Sequence, residues 1–219
     1  LRDATALQWY SKGLTAGDMA TLGLILRTNG LPRLQRLYIY GNGFGDAGLQ
    51  ALCEGHFTAA SLKELDLEDN NLGPAGADAF AAALHRGAMP KLEVLDLSLN
   101  LIGNQGVVAL AAPLRKLPAL WKLHLIDCIM DDEDVTSLMA NLGKDDFKQL
   151  AKLTLSRNKI TDVGCASIMR EIDAGGLPAV CRVIDLDLDQ NDTSDEAIKA
   201  MEDSLVRRGA EPYGYDDDE

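Results

Sequence analysis

Apolar residues recur along this chain at fixed distances from an asparagine or from a residue that takes its place. Each short stretch reads L-x-x-L-x-L-x-x-N/C, as in "LKELDLEDN" and "LEVLDLSLN". We call the last residue of each stretch the ladder residue. The ladder residues are Lys12, Asn42, Asn70, Asn100, Cys128, Asn158 and Asn191. They are 28 to 33 positions apart, a period typical of repeat arrays.

Each repeat carries the pattern of a strand followed by that of a helix. The positions five and three before the ladder residue are apolar in every unit, as at Leu95 and Leu97. This alternation predicts a short strand with two inward side chains. Apolar residues at helical spacing follow, and the position ten after the ladder residue is Leu22, Leu52, Phe80, Leu110, Leu138, Ile168 or Met201. We expect the ladder residue to bind backbone groups of the turn that leaves the strand.

This pattern covers residues 4–206 and resembles the leucine-rich repeats of the ribonuclease-inhibitor type, with Asn and Cys sharing the ladder position. Ran GTPase-activating proteins and NOD-like receptors carry the same repeat. The resemblance implies an α/β fold, a right-handed leucine-rich-repeat solenoid forming a horseshoe segment of about seven repeats. Parallel strands would line its concave face and helices its convex face. We therefore expect a repeat domain at 1–208 and an acidic C-terminal tail at 209–219.

One stretch has the appearance of a cofactor site. Gly43-x-Gly45-x-x-Gly48 follows an apparent strand and opens a helix-like stretch, as in a dinucleotide-binding fingerprint. The third glycine has counterparts six residues after other ladder residues, at Gly76, Gly106 and Gly164. We therefore interpret Gly48 as a repeat glycine and predict that the protein binds no cofactor.

Three further features resemble chemical sites. Residues 185–196 match the spacing of an EF-hand loop, but Gln190 replaces its turn glycine. We predict no metal there, with a weak cation site of another kind as the alternative. No Ser, Cys or Asp is placed to make His124 a relay base, so we predict no catalysis and no enzyme activity. The scattered cysteines, which we expect to be buried thiols, are Cys53, Cys128, Cys165 and Cys181.

The charge of the chain bears on its partners and location. A net charge of −13 disfavours nucleic acid, whose phosphates would be repelled. No apolar run is long enough to predict membrane insertion. We expect one or more protein partners and an intracellular, cytoplasmic location, with an organelle left open. The chain begins with Leu1 rather than Met, and neither end has a recognisable capping module, so we expect a longer parent chain or an end covered in a complex.

The outward side chains of the strands form a striped concave face. Tyrosines come first, followed by an acidic band, a basic and polar band, and an acidic last strand. The candidate protein-binding residues on this face are Tyr10, Arg36, Tyr38, Tyr40, Glu64, Asp66, Glu68, Asp96, Lys122, His124, Lys152, Asp185, Asp187 and Asp189. Exposed tyrosines beside a charged band have the composition of a binding hot spot.

The repeat class implies a role in binding proteins. We predict a non-enzymatic protein–protein interaction scaffold that acts as a subunit or adaptor in a larger complex. The alternative is a GTPase-activating protein resembling Ran GTPase-activating protein, which the repeat type and the acidic tail suggest. The functional residues of that family find no matching positions in this sequence.

Overall fold

A computed structural model describes residues 2–54, 59–140, 142–143, 145–174 and 185–207, and within this part of the chain seven strands alternate with seven helices. The strands are β1 Ala6–Gln8, β2 Arg36–Tyr38, β3 Glu64–Asp66, β4 Val94–Asp96, β5 Lys122–His124, β6 Lys152–Thr154 and β7 Asp185–Asp187. The helices are α1 Ala16–Arg27, α2 Gly45–Cys53, α3 Pro74–His85, α4 Gly103–Arg115, α5 Asp132–Met139, α6 Asp162–Ala174 and α7 Asp195–Arg207. We number the repeats 1 to 7 after their strands. The predicted tail, 209–219, lies outside the described residues.

The strands form one parallel sheet in the order β1 to β7, and this confirms the predicted solenoid. Equivalent residues pair in register, so that Leu65 lies between Leu37 and Leu95. All three leucines are buried. A shift by one residue would turn such side chains out to solvent, at a cost of roughly 1.5–3 kcal/mol for each one. The stack of leucines therefore fixes the register of the sheet.

The helical core positions predicted ten residues after each ladder residue are buried in every repeat. Trp9 differs from its equivalents because it is only partly buried against the core. Trp9 directly follows β1, the edge strand of the described sheet, which pairs with β2 on one side only. Trp9 thus has the predicted inward position but is less buried than the equivalent residues of the later repeats.

The ladder asparagines join each repeat to the one before it. The Nδ2 group of Asn100 donates to the carbonyl oxygens of Leu67 and Leu97, both at 2.9 Å. Its Oδ1 atom accepts from the backbone N–H groups of Asn70 at 3.1 Å and Leu72 at 2.9 Å. One fully buried amide thus satisfies strand and turn groups in two repeats. The same pattern is made by Asn42, Asn70 and Asn158.

The ladder is chemically weaker at Cys128. Its Sγ atom lies 3.3 Å from the Leu97 carbonyl oxygen and 3.5 Å from that of Ile126. A thiol is a weak donor and a weak acceptor, so it cannot replace an amide that donates and accepts strong hydrogen bonds. The link between repeats 4 and 5 consequently has the poorest rung among the described Asn and Cys positions. At Lys12, the ladder residue of repeat 1, the side chain is exposed and only the backbone N–H takes part.

The recurring glycine allows neighbouring helices to pack closely. A Cβ atom at Gly106 would come within 2.5 Å of Ile102 Cγ2 and 2.9 Å of Ala77 Cβ in the preceding helix. Comparable crowding, at 2.6 Å, surrounds Gly48, Gly76 and Gly164. The first two glycines of the G-x-G-x-x-G stretch have left-handed backbone angles, φ 69° at Gly43 and 63° at Gly45. All three glycines therefore have structural roles in the repeat.

We predict that Asn100→Ala destabilises the array strongly. The change leaves buried backbone groups unpaired, and each orphaned group costs about 1–3 kcal/mol. Denaturant unfolding measures the effect. The control is Asn104→Ala, on the exposed side of α4, which we expect to stay within about 0.5 kcal/mol of wild type. If Asn100→Ala and wild type unfolded at the same midpoint concentration of denaturant, the role assigned to the ladder would be contradicted.

We predict opposite outcomes for two glycine-to-alanine changes. Gly106→Ala forces a methyl group against α3 and should cost about 1–3 kcal/mol. Gly17→Ala, in α1, meets only Thr15 Oγ1 at 3.6 Å and should be neutral or stabilise by up to about 1 kcal/mol. Thermal unfolding of the two variants tests this contrast. A Gly106→Ala protein that is as stable as wild type would argue against close helix packing.

Candidate functional site

A stacked pair of tyrosines opens the concave face. Tyr10 and Tyr40 occupy the same position in repeats 1 and 2, two residues before the ladder residue. Their ring centroids are 4.8 Å apart with an interplanar angle of 5°. Tyr10 is 41% exposed. Burial, reinforced by Tyr10, Asp66 and Glu68, raises the pKa of Tyr40, so this phenol stays neutral. The stacked pair presents an aromatic platform.

The third predicted tyrosine has a different environment. The Tyr38 hydroxyl donates a hydrogen bond to a carboxylate oxygen of Glu64 on the neighbouring strand. Burial and this bond raise the pKa of Tyr38 to about 12. Arg36, also on β2, is exposed at the start of the strand. The structure therefore separates the predicted cluster of three tyrosines into a stacked pair and a single tyrosine that holds Glu64 in place.

Three carboxylates gather next to the stacked pair. Oxygen atoms of Asp66, Glu68 and Asp96 all lie within 4.8 Å of one another. One oxygen of Asp66 accepts from the Glu68 backbone N–H at 3.0 Å, and one of Asp96 accepts from the Ser98 N–H at 2.8 Å. We call these three side chains the carboxylate trio. Among the described residues, no Lys, Arg or His forms an ion pair with any of them.

Burial and neighbouring charge change the acidity of Asp66 and Glu68. Burial raises the pKa of Asp66 to about 6, and the negative charges of Asp96 and Glu68 add to the effect. Burial and the Asp96 charge also raise the pKa of Glu68. The negative charge of Asp96 thus makes ionisation of both Asp66 and Glu68 less favourable. A cation placed among them would relieve this repulsion, so the trio is suited to a positively charged group.

The next two strands carry the basic and polar band. Lys122 and Lys152 are register partners on β5 and β6, as their repeat positions predict. His124 is partly buried, and its Nδ1 atom lies 2.9 Å from the Thr154 hydroxyl oxygen. The structure places this histidine opposite Asp96, a pairing that the sequence analysis missed. The band is therefore separated from the aromatic platform by the carboxylate trio.

The last strand is described only in part. Asp189 is exposed and follows β7, and the side chains of Asp185 and Asp187 lie outside the described set. Asn191, within the stretch that resembled an EF-hand loop, donates to the carbonyl groups of Leu155 and Leu188, both at 2.9 Å. That stretch is thus the strand and turn of repeat 7.

Two surface features were not predicted from the sequence. Trp121 is 42% exposed just before β5, with the Lys122 Nζ atom 5.9 Å from its ring centroid. Leu99 and Leu101 flank the buried ladder residue Asn100 and are themselves exposed. Their positions in the repeat, next to a ladder residue and outside the alternating core pattern, could have indicated this exposure.

In the described part of the chain, none of the helices has the length and apolar character that crossing a membrane requires.

Comparisons with known proteins agree with this architecture. A family model described as "Leucine Rich repeat" matches residues 32–53, 58–81, 88–111 and 150–169. The chain is 36% identical to the Tonsoku-like protein of Bos taurus over 149 residues, which is 67% of this chain and 10% of that protein. It is 28% identical to the ribonuclease inhibitor of Sus scrofa over 224 residues, 90% of this chain and 48% of the inhibitor. It is 37% identical to the protein NLRC5 of Mus musculus over 152 residues, 69% of this chain and 8% of that protein.

These matches define the class. The chain belongs to the leucine-rich-repeat proteins of the ribonuclease-inhibitor type. It spans about a tenth of the Tonsoku-like proteins and about half of the ribonuclease inhibitors that it matches. The matches support a role in protein interaction. The names of these relatives do not include a GTPase-activating protein, so they give that alternative no support.

We predict that Asp66 makes folding stability depend on pH. Because its folded pKa of about 6 exceeds the value of about 3.9 in an unfolded chain, the folded state binds the extra proton between these values. Stability that is present at low pH is therefore lost as pH rises through about 6. Asp66→Asn keeps a side-chain oxygen that can accept from the Glu68 backbone N–H. It should raise the melting temperature relative to wild type at pH 7.5 and much less near pH 4, where the carboxyl is largely protonated in the folded state and about half protonated in the unfolded chain.

The expected difference is modest because Asp66 is only partly buried. We expect about 1 kcal/mol at most after solvent screening, or roughly 2–4 °C for a chain of this size. Asp78→Asn, at an exposed position of α3, controls for the loss of one negative charge. An Asp66→Asn effect that is the same at both pH values, or equal to the Asp78→Asn effect, would contradict the prediction.

Proposed function

We propose that the protein is a non-enzymatic interaction scaffold that binds a protein partner on its concave face, as a subunit or adaptor in a larger complex. The observation that carries the proposal is the partly exposed Tyr10–Tyr40 stack beside the carboxylate trio. Tyrosine offers a large contact area and loses little conformational entropy on binding. Clusters of this composition supply much of the affinity at protein interfaces.

The absence of catalysis is part of the proposal. Burial raises the pKa of the Cys53 and Cys128 thiols to about 12 and that of Cys165 to about 11, which makes them poor nucleophiles. The Nδ1 atom of His124 lies 2.9 Å from the Thr154 hydroxyl oxygen. These buried thiols also fit the proposed intracellular, cytoplasmic location, since reducing compartments keep cysteines unpaired.

The charge distribution makes a basic protein surface the favoured partner, and a net charge of −13 argues against nucleic acid. The acidic residues near β7, Asp185, Asp187 and Asp189, are proposed to steer association. Of these residues, Asp189 is described as exposed. Charges at an exposed position act mainly on the association rate and are screened by salt. The proposed contact surface also includes Arg36, Glu64, Lys122 and Lys152.

We predict that the tyrosine pair matters more for binding than the last strand. Proteins captured from native extract with the wild-type chain are identified, and the most enriched partner is purified for direct measurement. Tyr10→Ala/Tyr40→Ala should weaken its binding by about 2 kcal/mol or more at any salt concentration. Asp185→Asn/Asp187→Asn/Asp189→Asn should matter less and only at low salt.

The matched control is Asp78→Asn on the convex side, which should leave binding unchanged. If the purified partner binds the tyrosine variant as well as it binds wild type, the concave-face proposal fails. A larger loss with the aspartate variant at physiological ionic strength would move the main contact to the other end of the array.

A further inference from the structure

The position of the aromatic pair relative to the carboxylate trio indicates what kind of side chain fits this surface. Tyr10, Tyr40 and Glu68 occupy the same position in three consecutive repeats, so they form one row across the sheet. Asp66 and Asp96 belong to the adjacent row. The tyrosine stack therefore ends against acidic side chains rather than against another ring. A ligand at this junction contacts a ring and a carboxylate at once.

The junction has a strong excess of negative charge. Three carboxylates converge within 4.8 Å, and the donors to Asp66 and Asp96 are backbone N–H groups. No described Lys, Arg or His forms an ion pair with the trio. The surface thus presents acceptors and an aromatic ring, and the complementary group must bring both hydrogen-bond donors and positive charge.

We propose that the junction of Tyr40 with the carboxylate trio binds an arginine side chain presented by a segment of the protein partner. This inference rests on the proposed function and specifies the chemistry of its partner. A guanidinium group is planar and stacks on a tyrosine ring. Its N–H groups form a fork that binds carboxylates in a bidentate manner. A lysine ammonium group brings the same charge but lacks the flat surface and the fork, so arginine is selected over lysine.

The test uses labelled glycine–serine peptides that carry spaced arginines, lysines or citrullines at the same positions. Binding to the full chain is measured by fluorescence anisotropy at neutral pH and at two salt concentrations. We expect the arginine peptide to bind about three- to fivefold more tightly than the lysine peptide, which is the scale of a cation–π contact at a partly exposed site. The citrulline peptide, which keeps the shape but loses the charge, should not bind measurably.

Substitutions separate the contribution of the tyrosine ring to peptide binding from that of the carboxylate charges. Tyr40→Leu should reduce the preference for arginine over lysine to about one, whereas Tyr40→Phe should retain it. Asp66→Asn/Glu68→Gln should weaken both charged peptides. Asp78→Asn, which removes a distant charge, should leave both affinities unchanged. Tyr10→Leu provides a second change in the same stack. The melting temperature of each variant shows that the variant protein is folded.

Three outcomes would overturn the assignment: no binding of the arginine peptide, equal binding of arginine and lysine peptides, or an arginine preference that survives in Tyr40→Leu. The proposed function is judged separately, by the loss of the purified partner from the Tyr10→Ala/Tyr40→Ala variant. If that loss is observed while the peptides show no arginine preference, only the arginine assignment fails. If the partner binds the tyrosine variant normally, the concave-face proposal fails as well.

Discussion

The structure depends on the bridging hydrogen bonds of its buried asparagine amides. A strand of only three residues followed by a tight turn leaves backbone groups that the sheet cannot pair, and burying them unpaired would destabilise the fold. Each amide pairs such groups in its own repeat and in the preceding one, as Asn100 does for Leu97 and Leu72. The ladder thereby permits short parallel strands to stack and sets the side chains that face outward.

The sequence predicted the fold well because repetition makes each position testable several times. The inward leucines, the helical core positions and the ladder residues recur with a fixed spacing, and the physical reason is the same in each repeat. The left-handed backbone at the residue before every described ladder position was harder to foresee. It includes Leu99 at φ 55° and Asp69 at φ 49°, residues whose identity gives no such signal. There the tertiary bonds of the turn override local preference.

The candidate site was predictable as a set of residues but not as a set of contacts. Alternation along a strand placed Tyr10, Tyr38 and Tyr40 on the concave face. It could not show that Tyr38 would turn to Glu64 while Tyr40 stacked on Tyr10, because such choices depend on side-chain rotamers. The raised pKa of Asp66 likewise follows from burial and the closeness of other carboxylates, which spacing alone does not give.

The thiol at Cys128 has a consequence for motion. A solenoid is stabilised by interactions between nearest neighbours, so its cooperativity is limited by its weakest interface. Local opening should therefore be easier at the boundary between repeats 4 and 5 than it would be with an asparagine at this ladder position. The tyrosines and carboxylates would remain together in one folding unit, and the lysines and His124 would fall in the second. A partner that contacts both units would suppress local opening at this boundary. The whole array would then unfold more cooperatively.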